Sequence, residues 1–139
     1  MTGPSRPERC VLIIDEVLPS GLAANAAAVL ALSVGASFPD LPGPDLIDAD
    51  GAKHPGLIPM GLPVLAASAD RLGALRAAGV DLRLHVVSFP TVGQLTTDYT
   101  AFSATVASTP TVGLAYLGLA LCGPSRPVRK LTGGLPLLR

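Results

Sequence analysis

A small group of polar side chains stands where a buried strand gives way to an alanine-rich helix. The segment 10–32 reads CVLIIDEVLPSGLAANAAAVLAL, and Asp15, Ser20, Gly21 and Asn25 fall at its turn and in the first helical turns. Strand-to-helix edges are where α/β proteins often bind ligands, because free backbone N–H groups and the positive end of the helix dipole point there. We therefore take these four residues as candidates for contact with a small polar or anionic ligand.

Each of these residues also has a structural interpretation. Asp15 could cap a neighbouring loop, and Ser20 could be the N-cap of the helix. Asn25 could tie an otherwise apolar helix to a loop backbone, since a buried amide left without partners costs about 1–3 kcal/mol. Ser20-Gly21 has no glycine-rich phosphate motif around it and no lysine nearby, so an anion there would depend on backbone amides.

A second polar group, Asp48, Asp50 and His54, consists of residue types that bind metals. Asp50-Gly51 is also a typical tight-turn dipeptide, and hard cations need more oxygen ligands than this stretch offers. We interpret the segment as a hairpin turn and predict neither a metal site nor a cofactor. The sequence also lacks HExxH and GxSxG motifs, and two scattered cysteines do not form a zinc site.

The basic residues near the C-terminus could be phosphate contacts or a solvated surface. Arg126, Arg129 and Lys130 lie close together, and the Thr132-Gly133-Gly134 segment after them is read as a helix C-cap rather than an anion loop. Across the chain, ten basic and ten acidic residues cancel. Because no net charge attracts a polyanion, nucleic acid is an unlikely partner.

Composition predicts one small apolar domain. Of the 139 residues, 49% are hydrophobic and 14% are charged, so we expect a leader at 1–9 that is flexible and a single domain at 10–139. A surface poor in charge and a core poor in aromatic residues favour an oligomer that hides apolar area between subunits. Two cysteines and a polar N-terminus fit a cytoplasmic protein. The apolar runs 22–38 and 112–122 are interrupted by Asn, Ser or Gly, so no membrane-spanning segment is expected.

Periodicity predicts alternating strands and helices. Ser68 or Asp70 should cap the second helix, Gly79 should end it, and Thr96 or Thr97 should cap the third. This order predicts a three-layer α/β/α fold with a mixed, mostly parallel sheet of about four to five strands. The predicted strands are 10–17, a hairpin of 46–49 with 57–58, 62–65, 80–89 and 112–122; the predicted helices are 20–35, 69–78, 98–108 and 127–131.

Three stretches resemble an uncharacterised bacterial group, the domain of unknown function 2000. They are IIDEVLPSGLAANAAAVL at 13–30, DADG with HPG at 48–56, and VRKLTGGLPLL at 128–138. That group is in turn similar to peptidyl-tRNA hydrolase II. The resemblance implies a peptidyl-tRNA hydrolase II-like fold, in which helices sandwich a mixed sheet, and a homodimer.

The resemblance implies the fold without the enzyme's activity. When Ala23-Ala24-Asn25 is aligned with the Ala-Ala-Gln of that enzyme's first helix, Gly21 stands at the essential lysine and Ala28 at the helix histidine. Asn25 is a shortened counterpart of the glutamine, and Asp98 is the nearest acidic residue to the enzyme's Asp-Ala-Gly-x-Thr segment. Loss of the lysine removes a charge that would hold RNA phosphate or polarise an ester.

Three functions therefore stay open from the sequence. The first is binding of a small polar or anionic ligand beside the first strand and helix. The second is a diverged hydrolase acting on an RNA-linked or peptidyl ester, with the basic C-terminal residues on phosphate. The third is a non-catalytic protein-interaction module. Whether the protein is an enzyme is left undecided.

Overall fold

A computed structural model describes residues 6–92 and 97–139 of the chain. Residues 1–5, in the predicted leader, and 93–96, which include the predicted cap Thr96, lie outside the described residues. In chain order the elements are β1 (Arg9–Asp15), α1 (Ser20–Ser37), β2 (Leu46–Ile47), β3 (Lys53–His54), β4 (Val64–Ala67), α2 (Ala69–Asp81), β5 (His85–Pro90), α3 (Tyr99–Ala107), a 3₁₀ turn (Thr111–Gly113), β6 (Tyr116–Gly123) and α4 (Ser125–Thr132).

Strand β1 lies inside a four-stranded sheet whose order is β4-β1-β6-β5. Its residues 10–15 are all buried, because an unbroken aliphatic run suits a strand that is covered on both faces. It pairs in parallel with β4, Asp15 opposite Ala67, and antiparallel with β6, Cys10 opposite Cys122.

The sheet is mixed, but the prediction that it is mostly parallel is wrong. Among the described strands only β1 and β4 pair in parallel, whereas β6 is antiparallel to both β1 and β5. The reason is the connection between β5 and β6. Thr91 donates its N–H to the carbonyl of Ala115 at 2.9 Å. The chain therefore re-enters the sheet at the same end at which β5 left it. Helix α3 therefore lies in an excursion and not in a crossover that would make β6 parallel.

Side chains of β1 alternate between two hydrophobic clusters, which gives the three layers. Leu12 and Ile14 point to one face and pack with Ala23, Ala26, Leu30 and Val34 of α1. The other face holds Val11 and Ile13, packed with Leu72 and Leu75 of α2 and Val128 of α4. This period-two alternation is what the strand geometry demands, and it places α1 opposite α2 and α4.

Helix α1 carries apolar residues on its exposed side as well as on its buried side. Its 18 residues are enough, by length and composition, to cross a membrane, a test that core helices of soluble proteins also pass. Here one side of the helix is buried against the sheet, while Leu22, Val29 and Leu32 on its other side are exposed. From the sequence, no segment long and apolar enough to span a membrane was expected.

The two edges of the sheet are covered differently. At β4, Leu138 donates to the carbonyl of Val64 at 2.9 Å and Ala66 donates to that of Pro136 at 2.8 Å, so the C-terminal segment pairs along this edge. At the other edge, no described strand pairs with the outer side of β5. The residues before β1 also contact the fold, since Arg6 donates to the carbonyl of Leu41 at 2.9 Å.

Several helix ends differ from the prediction. Ser68 caps α2 as predicted, accepting from the N–H of Arg71. The helix does not end at Gly79, where an added Cβ would lie 3.0 Å from side-chain atoms of Leu121 and Val86. It continues to Asp81, and Arg83 takes the left-handed conformation with φ 59°. The cap of α3 is Asp98 and not Thr97, because the Asp98 carboxylate accepts from the N–H of Thr100 at 2.9 Å.

Gly118, in the middle of β6, leaves no room for a side chain. A Cβ there would lie 2.8 Å from the carbonyl oxygen of Ile13 and 2.8 Å from Cδ1 of Ile14. We expect Gly118→Ala to lower the free energy of unfolding by about 1–3 kcal/mol, the usual cost of overpacking a core, measured by urea denaturation. Gly21→Ala is the control, since nothing lies within 4 Å of its Cβ position. Equal stability of the two variants would contradict this packing.

Candidate functional site

Asp15 serves the turn between β1 and α1. It is 8% exposed, and its Oδ1 accepts the N–H of Val17 at 3.2 Å. Its carbonyl oxygen accepts the N–H of Leu18 at 3.2 Å. The next residue, Glu16, is exposed, so the two carboxylates do not converge. This geometry matches the structural interpretation of Asp15 as a cap.

The other three predicted site residues lie on the surface of α1. Pro19 and not Ser20 occupies the N-cap position, and no side chain caps this helix. Ser20, Gly21 and Asn25 are all exposed. The amide of Asn25 therefore faces water, and the cost of a buried unpaired amide does not arise.

A row of residues links this helix start to a cavity. Gly21, Asn25, Val29 and Ser33 are spaced by four, so they form one ridge along α1. The lower two, Val29 and Ser33, line a cavity of about 310 Å³ beside β5. The predicted site residues Gly21 and Asn25 thus lie on the same ridge as the cavity wall, closer to the start of the helix, but do not line the cavity.

Two cavities surround the outer edge of β5. The first, the α1 cavity, has the 310 Å³ volume given above and is lined mainly by Val29, Leu30, Ser33, Val87, Phe89 and Phe102. The second, the α2 cavity, measures about 460 Å³ and is lined mainly by Arg76, Ser103, Val106, Leu114 and Tyr116. Ser88, Pro90, Tyr99 and Phe102 line both cavities. We call the two together the β5 cleft.

The cleft wraps around the strand edge because successive side chains of β5 point to opposite faces. Val87 and Phe89 pack with the cluster on the α1 side, whereas Val86 packs with the cluster on the α2 side. The two cavities consequently lie on the two faces of the sheet, and Ser88 of β5 is one of the residues that line both.

Helix α3 forms the outer wall of the cleft. None of its nine residues is buried, and Tyr99 is 82% exposed. Phe102 and Val106 form an apolar stripe on this helix; both are half-buried and line the cleft. The helix thus leaves space between its apolar stripe and the sheet edge instead of closing on it.

The basic residues of the C-terminus lie in a different layer. Arg126, Arg129 and Lys130 are exposed on α4, which packs on the α2 side of the sheet through Val128. The structure does not bring them together with the predicted residues of α1. Gly133 caps the helix by donating to the carbonyl of Arg129 at 2.8 Å, in agreement with the interpretation as a C-cap.

The acidic segment forms a hairpin, with a different second strand from the one predicted. β2 pairs with β3 at Lys53–His54 rather than with residues 57–58, and Gly51 has φ +83° in the turn. Asp48 Oδ1 accepts from the N–H of Asp50 at 2.9 Å, and Oδ2 lies 2.9 Å from His54 Nε2. Within the described residues, no three His, Cys, Asp or Glu side chains form a group that could hold a metal.

Sequence reasoning missed a row of thiols and an imidazole across the sheet. Cys10, Cys122 and His85 are in register on β1, β6 and β5. Both thiols are free and buried, and the hydrogen bond to Cys10 together with burial raises the pKa of Cys122. The His85 ring packs edge-on against Phe38 with centroids 5.0 Å apart. Its Nε2 is buried without a hydrogen-bond partner in the described chain.

Comparisons with known proteins identify relatives of equally undefined function. A family model described as a protein of unknown function (DUF2000) matches residues 8–139. The solved structure of Atu0240, a protein of unknown function from Agrobacterium tumefaciens strain C58, is similar, with a TM-score of 0.85 and 18% sequence identity. The match covers 93% of this chain and 96% of that chain, and at this identity it shows the fold alone. No curated protein matches the chain.

The hairpin generates a prediction about pH. The imidazole of His54 and the N–H groups of Ala52 and Asp50 hold the pKa of the Asp48 carboxyl below its usual value of 3.8. The stabilisation by this carboxylate is therefore present above pH 3.8 and is lost as pH falls through the lower folded value. We expect an NMR titration of Asp48 to give a midpoint below 3.8. His54→Ala should raise that midpoint and Lys53→Ala should not; a midpoint unchanged by His54→Ala would contradict the contact.

The thiol pair generates a second prediction. Cys10 is 1% exposed and Cys122 is 0% exposed, so a reagent in solution cannot reach either sulfur in the folded protein, and reaction of a thiol requires access. In reduced native protein, iodoacetamide should label neither residue within the time that it labels a cysteine introduced at the exposed position Ala24. Both native thiols should react in denaturant. Rapid labelling of either thiol in the folded protein would show that the β1–β6 pair opens.

Proposed function

We propose that this chain, which belongs to the DUF2000 family of proteins of unknown function, binds a small molecule in the β5 cleft. The observation that carries the proposal is the α1 cavity, about 310 Å³ in volume, between a core helix, an edge strand and the unburied helix α3. Binding sites for small molecules are concave and mostly apolar, with a few polar groups and volumes of about 300–1,000 Å³.

The lining residues supply both kinds of contact. Val29, Val87 and Phe89 offer apolar surface, and Ser33 and Ser88 offer hydroxyl groups that donate and accept hydrogen bonds. The α1 ridge continues from Ser33 through Val29 to Asn25 and Gly21. The apolar part of a ligand in the α1 cavity would lie against Val29, next to the exposed end of this ridge, which itself lines neither cavity.

The proposal concerns binding and not catalysis. Among the described residues that line the two cavities there is no histidine, lysine or cysteine, and the carboxylate in the lining, Asp98, accepts N–H groups at the start of α3. The proposal therefore assigns no nucleophile and no base. Hydrolysis of an RNA-linked ester has less support, because Arg129 and its basic neighbours lie on α4, in the opposite layer from α1.

A thermal-shift screen with a cavity-filling variant tests the proposal. The compounds are nucleotides, amino-acid derivatives, short fatty acids and bulk tRNA. Ser33→Trp places an indole in the α1 cavity from an exposed helix position, and Ala28→Trp places one at an exposed position of the same helix that lines neither cavity. A ligand at 100 times its Kd stabilises by about 2.7 kcal/mol.

We expect at least one small molecule to raise the melting temperature of the wild type and of Ala28→Trp, but not that of Ser33→Trp. A hit that persists in Ser33→Trp would place the ligand elsewhere, and no hit among small molecules would contradict the proposal. A shift with tRNA alone, lost steeply as salt rises, would favour the ester-hydrolase alternative.

A further inference from the structure

The α2 cavity contains a cation without a carboxylate partner. Arg76 is half-buried on α2 and lines this cavity. The one ion pair among the described residues joins His54 to Asp48, so Arg76 makes none. Charged groups that leave water are normally paired, and the place where this arginine could find an anion is the cavity that it lines.

The surroundings hold the guanidinium in place without occupying its donors. Its central carbon lies 6.0 Å from the ring centroid of Tyr116, which is 3% exposed. A ring face attracts the cation through its quadrupole, and this contact leaves the N–H groups at the guanidinium rim available. Hydroxyl groups of Ser88 and Ser103 line the same cavity, and no described Asp or Glu does. Asp98 lines the α1 cavity, where its carboxylate caps α3.

We propose that Arg76 is the anion-binding residue of the β5 cleft, and that the ligand is a small organic carboxylate with an apolar tail. This inference rests on the proposed function and names its ligand class. One guanidinium fork matches one carboxylate in charge and in bidentate geometry. A phosphate dianion would bring a second charge, for which the described lining residues offer no second cation.

In this binding mode the tail crosses from the α2 cavity to the α1 cavity beside the residues that line both. From Arg76 the path passes Tyr99 and Phe102, which line both cavities, and reaches Val29 and Val87 on the α1 side of the sheet. A molecule bound in this way has its charged end at α2 and its apolar end at α1, with the edge of β5 between them.

Three probes that share one tail test the inference: octanoate, octanol and octylamine. Their binding is measured by isothermal titration calorimetry to the wild type, Arg76→Gln and Arg71→Gln. Arg71 lies on the exposed side of the same helix and lines neither cavity, so it is the matched control. A hydrogen bond to a charged group should make octanoate bind roughly tenfold more tightly than octanol.

We expect Arg76→Gln to remove the preference for octanoate and leave octanol binding unchanged, while Arg71→Gln behaves like the wild type. Unchanged octanol affinity also shows that the variant is folded. The inference is overturned if the preference survives Arg76→Gln, or if octylamine binds the wild type as tightly as octanoate. Binding of octanol without any carboxylate preference would overturn this inference alone. Failure of all three probes in the wild type would also overturn this inference, and a hit from another compound class in the thermal-shift screen would then leave the proposed function standing.

Discussion

The position of β6 between β1 and β5 is the constraint on which the rest of the molecule depends. β6 is antiparallel to both neighbours, and Gly118 in its middle lies beside Ile14 on one side and Phe89 on the other. The close approach of the Ile13 carbonyl to Gly118 fixes the register of the β1 pair. Because a shift by one residue would exchange the two faces of a strand, this register also determines which residues meet α1 and which meet α2.

The same pairing leaves α3 outside the layers. A helix that joins two parallel strands must cross a face of the sheet and is buried by it. The chain after β5 instead returns at the same end of the sheet, where Thr91 donates to the carbonyl of Ala115. α3 is then free to stand beyond the edge of β5, and the β5 cleft is the space that remains. At the opposite edge, the C-terminal segment pairs with β4, so the two edges of one sheet have different coverings.

Local signals in the sequence predicted the parts whose cause is local. The apolar run of β1 predicted a strand buried on both faces, Ser68 predicted a helix start, and Asp50-Gly51 predicted a turn. In each case the residues that decide the conformation are neighbours in the chain. The boundaries failed where a distant contact decides them, as at Gly79, whose packing against Leu121 and Val86 keeps it within α2.

The direction of β6 and the location of the cleft could not be predicted in this way. An alternation of strands and helices suggests crossover connections that make the strands parallel. No residue pattern in the segment 99–107 indicates that this helix will be buried on neither face of the sheet. The sequence did not single out Arg76, because its contact with Tyr116 joins positions far apart in the chain. The row of Cys10, Cys122 and His85 likewise exists only once the register of three strands is known.

The proposed site and the low burial of α3 are linked by one energetic argument. Segments with few buried apolar contacts have low local stability, and ligand-binding elements are commonly drawn from them. α3 contributes no buried residue, so Phe102 and Val106 supply most of its apolar contact with the fold. A ligand in the cleft would lie between these side chains and β5 and would add the contacts that α3 lacks. Binding there would therefore stabilise α3 and fill the cavity at the same time. A chain with bulkier side chains in the cavity would gain the same packing without a ligand, but it would lose the site.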